Sequence, residues 1–159
     1  MSVFDKPPFP HRWFEDFALG QVFDYGAIAV TAEKIIEFAR EYDPEPFHTD
    51  RAKAEKLFGS LIASGVQTAA WWRRMNFDAF AGIGADQTSV ASPGWDEIRW
   101  KTPVKPGDVL SCRSTVAELR SLKSRPDIGV VRFANAMRNQ HGEIRMTHSA
   151  SVFLRKRPA

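Results

Sequence analysis

The stretch SGVQTAAWW (residues 64–72) contains no charged side chain and runs directly into Arg73 and Arg74. Ser64 suits the N-cap of a helix, and Gln67 three residues later completes the pattern of a capping box. A helix that is apolar nearly all round is normally buried. We therefore predict a central helix that begins at Ser64 and is enclosed by other elements.

Segments in which apolar and polar side chains alternate every two residues lie on both sides of this helix, a period typical of strands. The predicted strands cover residues 21–30, 97–104, 109–119, 129–138 and 144–154. Helices are predicted over residues 31–42 and 50–57, and a loop over 82–94. One strand, then helices, then a run of strands favours an α+β fold, a curved antiparallel sheet wrapped around one central buried helix.

The composition is that of an ordinary globular protein, with 43% hydrophobic residues in a chain of 159. This length suits one domain, which we place at residues 14–159 after an extended, proline-rich arm at 1–13. A lone cysteine, Cys112, excludes an intrachain disulfide, and its place in an alternating stretch predicts a buried strand residue. We expect a cytoplasmic protein with no membrane segment, because the longest uncharged run is too short to span a bilayer.

The charge pattern gives little support for a nucleic-acid partner. The formal net charge is +3, and the basic cluster Arg155, Lys156 and Arg157 lies near the end of the chain without an accompanying recognition motif. We interpret the cluster as a solvated terminus and expect no nucleic acid to bind.

A polar pair follows the helix predicted at 31–42. The segment DPEPFH (residues 43–48) is predicted as a stiff loop, because each proline fixes its own φ and restricts the preceding residue. It begins at Asp43 and ends at His48, a carboxylate and an imidazole that together suit proton transfer at neutral pH. Alternatively, Asp43 caps a helix end and backbone groups satisfy His48. The spacing alone leaves both interpretations open.

Ser64 and Gly65 form a second candidate site. The first turn of a helix offers unpaired N–H groups, and a glycine there lets a ligand approach the backbone closely. Such donors suit a thioester oxygen that becomes negatively charged during a reaction. The alternative is that Ser64 is only an N-cap.

These residues also carry a resemblance to a known family. The segments FAREYDPEPFH (38–48) and FGSLIASG (58–65), with KPGD (105–108) further along, resemble the MaoC-like (R)-specific enoyl-CoA hydratases. The motif of that family is D-x-N-P-[LIV]-H, and a glycine opens its central helix. The order of elements is similar over roughly residues 13 to 155.

The resemblance implies a hot-dog fold and a hydro-lyase that adds water reversibly to a 2-enoyl-CoA, or a related acyl thioester, to give a 3-hydroxyacyl thioester. Asp43 and His48 match the catalytic dyad that holds a water molecule. Ser64 and Gly65 match the substrate-binding end of the helix, with the Gly65 N–H as donor to the thioester oxygen. It also implies an acyl-CoA substrate, no metal or other cofactor, and a homodimer or higher homo-oligomer with the active site at its interface.

Three positions depart from the family motif. Tyr42 replaces a glycine, Glu45 replaces the asparagine and Phe47 replaces an aliphatic residue. Glu45 either faces the same site as Asp43, where like-charge repulsion would raise the pKa of one carboxyl group, or points to solvent.

Two other functions fit the same fold. A hot-dog thioesterase would hydrolyse the thioester bond with a carboxylate-activated water, and a non-catalytic domain would bind acyl-CoA without turnover. The sequence contains no zinc-type Cys/His spacing, G-x-S-x-G or P-loop. His148 shares the apolar face of the last strand, so we predict a core or interface histidine whose hydrogen bonds are satisfied.

Overall fold

The computed structural model describes residues 11–158. Most of the predicted arm at 1–13 lies outside the described residues, and the division into an arm and a domain at 14–159 stays a prediction. The described part opens with a 3-10 turn, Phe14–Asp16, ahead of the first strand. None of the helices within residues 11–158 combines the length and the hydropathy needed to cross a bilayer.

Four helices lie between the first and second strands. They are α1 (Ala32–Tyr42), α2 (Pro46–Thr49), α3 (Arg51–Phe58) and α4 (Gly65–Gly82). As predicted, α1 is capped by Thr31, whose hydroxyl accepts a hydrogen bond from the N–H of Lys34. The stiff loop predicted over 43–48 is only partly confirmed, because Pro46 opens the single turn α2, its fixed φ suiting the first helical position.

Five strands form one antiparallel sheet. They are β1 (Val22–Ala29), β2 (Ser89–Trp100), β3 (Val109–Ser121), β4 (Ile128–Arg138) and β5 (Ile144–Arg155). Their order across the sheet is β1-β3-β4-β5-β2. The three strands that follow one another along the chain are therefore central, and β2 lies at an edge against β5.

The long helix α4 packs against this sheet and supplies the centre of the core. Trp72 and Met75 are 3% exposed on its buried side. Met75 lies directly against Gly26 of β1, which adopts a φ of 89° and leaves no room for a Cβ atom, so glycine allows the helix to approach the sheet. This arrangement confirms the predicted α+β hot-dog architecture. The burial is one-sided, however, because Val66 and Phe77 on the other side of α4 are 58% and 47% exposed.

Two predicted boundaries are wrong. Residues 89–94, predicted as loop from their Gly, Ser and Pro content, belong to β2, where an edge position accommodates Pro93. The same strand ends at Trp100 and does not continue to Val104.

The predicted capping box is also absent. The Ser64 hydroxyl accepts from the N–H of Val66, and the Gln67 side chain donates to the carbonyl of Lys34.

Buried polar side chains connect α4 to four strands. Trp72 donates its indole N–H to the hydroxyl of Tyr25, which is hydrogen-bonded to Ser114. Ser114 in turn donates to the amide oxygen of Asn135. The Asn135 amide nitrogen lies 3.4 Å from Nε2 of His148.

His148 is buried, as predicted, but only one of its ring nitrogens is satisfied. Because the Asn135 amide nitrogen can only donate, Nε2 of the neutral ring accepts and Nδ1 carries the hydrogen. Nδ1 is buried and finds no partner among the described residues. Burial lowers the pKa of His148 from 6.5 to about 4.

This shift predicts a loss of stability in mild acid. The folded-state pKa lies below the unfolded value, so the unfolded chain binds the proton more readily. The contribution of His148 is complete above pH 6.5 and is lost as the pH falls towards 4. We expect the free energy of unfolding, measured with urea, to fall between pH 7 and pH 5 in the parent protein and to fall less in His148→Gln. The exposed His141 is the matched control, and His141→Gln should keep the full pH dependence; identical profiles for both variants would contradict the assignment.

Candidate active site

Asp43 and His48 lie close together, the arrangement that the resemblance to the MaoC-like family implied. Nε2 of His48 lies 3.6 Å from Oδ2 of Asp43. Asp43 is held at the end of α1 by its N–H bond to Ala39, and its carbonyl accepts from the N–H of Glu45, which turns the chain into α2. His48 is only 6% exposed, whereas the Asp43 side chain is 30% exposed. The imidazole therefore forms the floor of the site and the carboxylate its rim.

The hydrogen bond at Nδ1 fixes the tautomer of His48. Nδ1 lies 2.7 Å from the carbonyl oxygen of Ile62. A carbonyl can only accept, so Nδ1 carries the hydrogen, and Nε2 of the neutral ring presents a lone pair towards Asp43. The 3.6 Å gap is too long for a direct hydrogen bond between the two side chains. This geometry suits a water molecule that donates to both groups.

Ser64 links the dyad to the start of α4. Its hydroxyl donates to Oδ2 of Asp43 at 2.6 Å and accepts from the N–H of Val66 at 3.1 Å. Ser64 is completely buried and does not line the cleft described below. From the sequence, Ser64 was predicted to be a substrate-binding residue or a simple N-cap. The structure shows the cap, and the hydroxyl is hydrogen-bonded to Asp43 and does not face the cleft.

Removing this hydroxyl is expected to affect both stability and turnover. Ser64→Ala should lower the free energy of unfolding by about 1 kcal/mol through the lost cap. If Asp43 is catalytic, kcat should fall about tenfold or more because the carboxylate loses an orienting hydrogen bond, with a smaller change in KM. Urea unfolding and steady-state kinetics measure the two effects. The control is Ser60→Ala, since among residues 11–158 the Ser60 hydroxyl bonds only to the neighbouring carbonyl of Leu61. Equal losses in both variants would contradict the role of Ser64.

Gly65 opens α4, and its N–H has no acceptor among the described residues. The packing of Trp100 requires a glycine at position 65, because a Cβ atom there would lie 2.6 Å from Cε2 of the indole. The indole N–H of Trp100 also donates to the Gly65 carbonyl at 3.0 Å. The glycine thus serves a side-chain contact that was not predicted, in addition to leaving a free N–H at the helix start.

A cleft of about 420 Å³ joins these groups. It is lined by Asp43, His48, residues 62–63, 65–66 and 68, and the segment 100–104 that follows β2. Asp43, His48 and Gly65 were predicted as site residues from the sequence, whereas the presence of Trp100 and Lys101 in the same cleft was not. No sequence signal indicated this, because residues 97–104 were predicted as one continuous strand, whereas the chain leaves the sheet after Trp100.

Glu45 does not belong to this cleft. Its side chain is exposed, and its backbone forms the N-cap of α2. Of the two orientations left open by the sequence, the structure shows the one that faces solvent, so Asp43 is the only carboxylate among the described residues that line the cleft. Within residues 11–158, no cluster of three or more His, Cys, Asp or Glu side chains is arranged to hold a metal ion.

Comparisons with known proteins place this chain in a family. A model of the MaoC-like domain matches residues 16–135. The mesaconyl-CoA hydratase of Cereibacter sphaeroides is 41% identical over 149 residues, which cover 92% of this chain but only 42% of that protein.

The comparison with solved structures indicates the same family. A MaoC-like dehydratase from Rhodospirillum rubrum is 36% identical, with a TM-score of 0.81 over 93% of this chain and 99% of that one. The (R)-hydratase PhaJ1 from Pseudomonas aeruginosa is 26% identical, with a TM-score of 0.67 over 91% and 86% of the two chains. With the family model spanning most of its length and the fold shared throughout, this chain belongs to the MaoC-like domain family.

Proposed function

We propose that this protein is a hydratase or dehydratase that adds water reversibly to a 2-enoyl-CoA to give a 3-hydroxyacyl-CoA. The observation that carries the proposal is the 3.6 Å distance between Nε2 of His48 and Oδ2 of Asp43, in a cleft that also contains the first turn of α4. Membership of a family with hydratase relatives supports it.

The orientation of His48 suggests how protons move. Water bound between the two side chains loses a proton to Nε2 as its oxygen attacks the β-carbon. The imidazolium that forms is stabilised by the adjacent Asp43 carboxylate and returns the proton to the α-carbon. One proton leaves the water and one reaches the substrate, so both side chains end in their initial state. This route needs no metal or other cofactor.

Besides proton transfer, the reaction requires a hydrogen-bond donor to the thioester oxygen, and the start of α4 is suited to supply it. Attack at the β-carbon places negative charge on the thioester oxygen, and an N–H fixed at that position stabilises it. Gly65 lines the same cleft as the dyad and is the first residue of α4, where the positive end of the helix dipole lies. We assign this donor to the thioester oxygen.

A spectrophotometric assay tests the proposal. Purified protein should remove the enoyl-thioester absorbance of one or more members of a panel that includes crotonyl-CoA, longer enoyl-CoAs and mesaconyl-CoA. A thiol reagent in parallel reports free CoA. Loss of absorbance without CoA release supports hydration, CoA release supports the thioesterase alternative, and neither signal supports the non-catalytic one.

We also propose that the protein acts as a cytoplasmic homodimer or larger homo-oligomer. The outer edge of β2 has no strand partner among the described residues, and its exposed side chains include Val90 and Trp95. An open edge strand favours pairing with a second copy. Light scattering should give a mass above the 17.9 kDa of one chain.

A further inference from the structure

Lys101, whose charge the hydration chemistry does not use, is one of the residues that line the cleft, and its side chain is exposed to solvent. Lys101 is the only lysine or arginine among the described residues that line it, and the other lining residues apart from the dyad are uncharged. No carboxylate of the described residues forms an ion pair with Lys101. The ammonium group is therefore free to bind an anion from outside the chain.

The backbone around Lys101 is held in place. Its N–H donates to the carbonyl of Arg145 at 2.9 Å, directly after β2 ends. The preceding residue, Trp100, is fixed against Gly65 by the indole hydrogen bond. The lysine consequently starts from a rigid point in the same cleft as the proposed thioester site, and only its flexible side chain has to order on binding.

We propose that Lys101 forms an anion subsite of the cleft and that it binds a carboxylate carried by the acyl group of the substrate. This inference rests on the proposed function and names its substrate class: short enoyl thioesters with a second, anionic end. The remaining lining is largely apolar, with residues such as Ile62, Val66 and Val104, and suits the carbon chain between the two ends.

The phosphates of CoA are the other anions of such a substrate. They are separated from the thioester by the whole pantetheine arm, whereas Lys101 shares a cleft of about 420 Å³ with the dyad. A group within that cleft is adjacent to the reacting carbons, which favours the acyl carboxylate over the phosphates.

A matched pair of substrates tests the inference. Crotonyl-CoA and fumaryl-CoA have four acyl carbons each and differ by a methyl group against a carboxylate at the far end. In Lys101→Met we expect KM for fumaryl-CoA to rise about three- to fivefold, the range of a partly exposed ion pair, while KM for crotonyl-CoA stays within about twofold. Lys105→Met removes the same charge four residues away, outside the cleft lining, and should change neither value.

Other outcomes overturn the inference. If Lys101→Met raises KM equally for both CoA thioesters but leaves their pantetheine analogues unaffected, the bound anion is a CoA phosphate. If neither KM changes, or Lys105→Met has the same effect, there is no local subsite.

Calorimetry separates failure of this inference from failure of the proposed function. Succinyl-CoA and butyryl-CoA lack the double bond, so their binding is read without turnover. If the parent protein binds succinyl-CoA more tightly than butyryl-CoA and Lys101→Met loses this preference, the subsite is supported even if the parent protein hydrates no enoyl-CoA. If the parent protein binds succinyl-CoA and butyryl-CoA equally, the subsite is contradicted.

Discussion

Replacing Asp43 by asparagine is expected to lower kcat for hydration by at least about 100-fold, the usual cost of removing one group that stabilises a charge formed during the reaction. The substitution keeps the shape of the side chain and an oxygen that can accept from the Ser64 hydroxyl, so the fold should be unchanged. It removes the negative charge next to His48, and with it the stabilisation of the imidazolium formed during turnover. Initial rates with the best substrate of the panel, together with circular dichroism, measure both properties.

Glu45→Gln is the matched control for this variant. It neutralises a carboxylate two residues away that is exposed and does not line the cleft. Activity within about twofold of the parent protein is expected, because an exposed charge at that position is screened by solvent. A similar loss of activity in both variants, or an active Asp43→Asn protein, would remove the basis for the proposed mechanism.

Asp108→Asn is expected to give the largest loss of stability, about 3–5 kcal/mol in the free energy of unfolding. Oδ1 of Asp108 accepts from the Arg145 guanidinium at 2.9 Å, and the two side chains are 7% and 8% exposed. Oδ2 accepts from the backbone N–H of Lys105 at 3.0 Å. Without the carboxylate, the buried guanidinium keeps the more exposed Glu143 as its one ionic partner among the described residues, and leaving a buried charge poorly compensated is costly.

The same substitution at Asp24 is the control. Asp24 forms a shorter ion pair with Arg113, at 2.7 Å, but both side chains are about half exposed. Solvent screening limits such a pair to roughly 1 kcal/mol or less. Urea denaturation of Asp24→Asn and Asp108→Asn should therefore differ by several kilocalories per mole, and a comparable loss in both would show that burial does not set the cost.

This ion pair also affects the proposed active site. The Arg145 guanidinium donates to the hydroxyl of Thr102, which lines the cleft. Variants of Asp108 that remain folded should bind substrate more weakly, because one wall of the cleft loses its support.

The parts of the fold that could be predicted from sequence are those where one face of an element is buried. The central strands β3, β4 and β5 show the two-residue alternation because one face packs against the core, and their predicted boundaries are close to the observed ones. The edge strand β2 is exposed along nearly its whole length. Its side chains therefore carry no alternation in residues 89–94, and its pairing with β5 is a tertiary effect that local composition does not show.

The candidate site also contains some features that could be predicted from sequence and others that could not. Asp43 and His48 could be found because two prolines restrict the few residues between them. The orientation of Glu45 and the bond from Ser64 to Asp43 depend on how α1, α2 and α4 meet, which no local pattern specifies. Trp100 and Lys101 reach the cleft only because the chain leaves the sheet at that point.

The contact between Trp100 and Gly65 places a fluorescent side chain in the cleft. The indole is 54% exposed and lies against the start of α4, so a bound acyl group would exchange water for hydrocarbon beside the fluorophore. Trp72, in contrast, is 3% exposed and is shielded from this exchange. Titrations of unlabelled ligands can then be followed by intrinsic fluorescence, and the ligand-dependent change should be absent in Trp100→Phe.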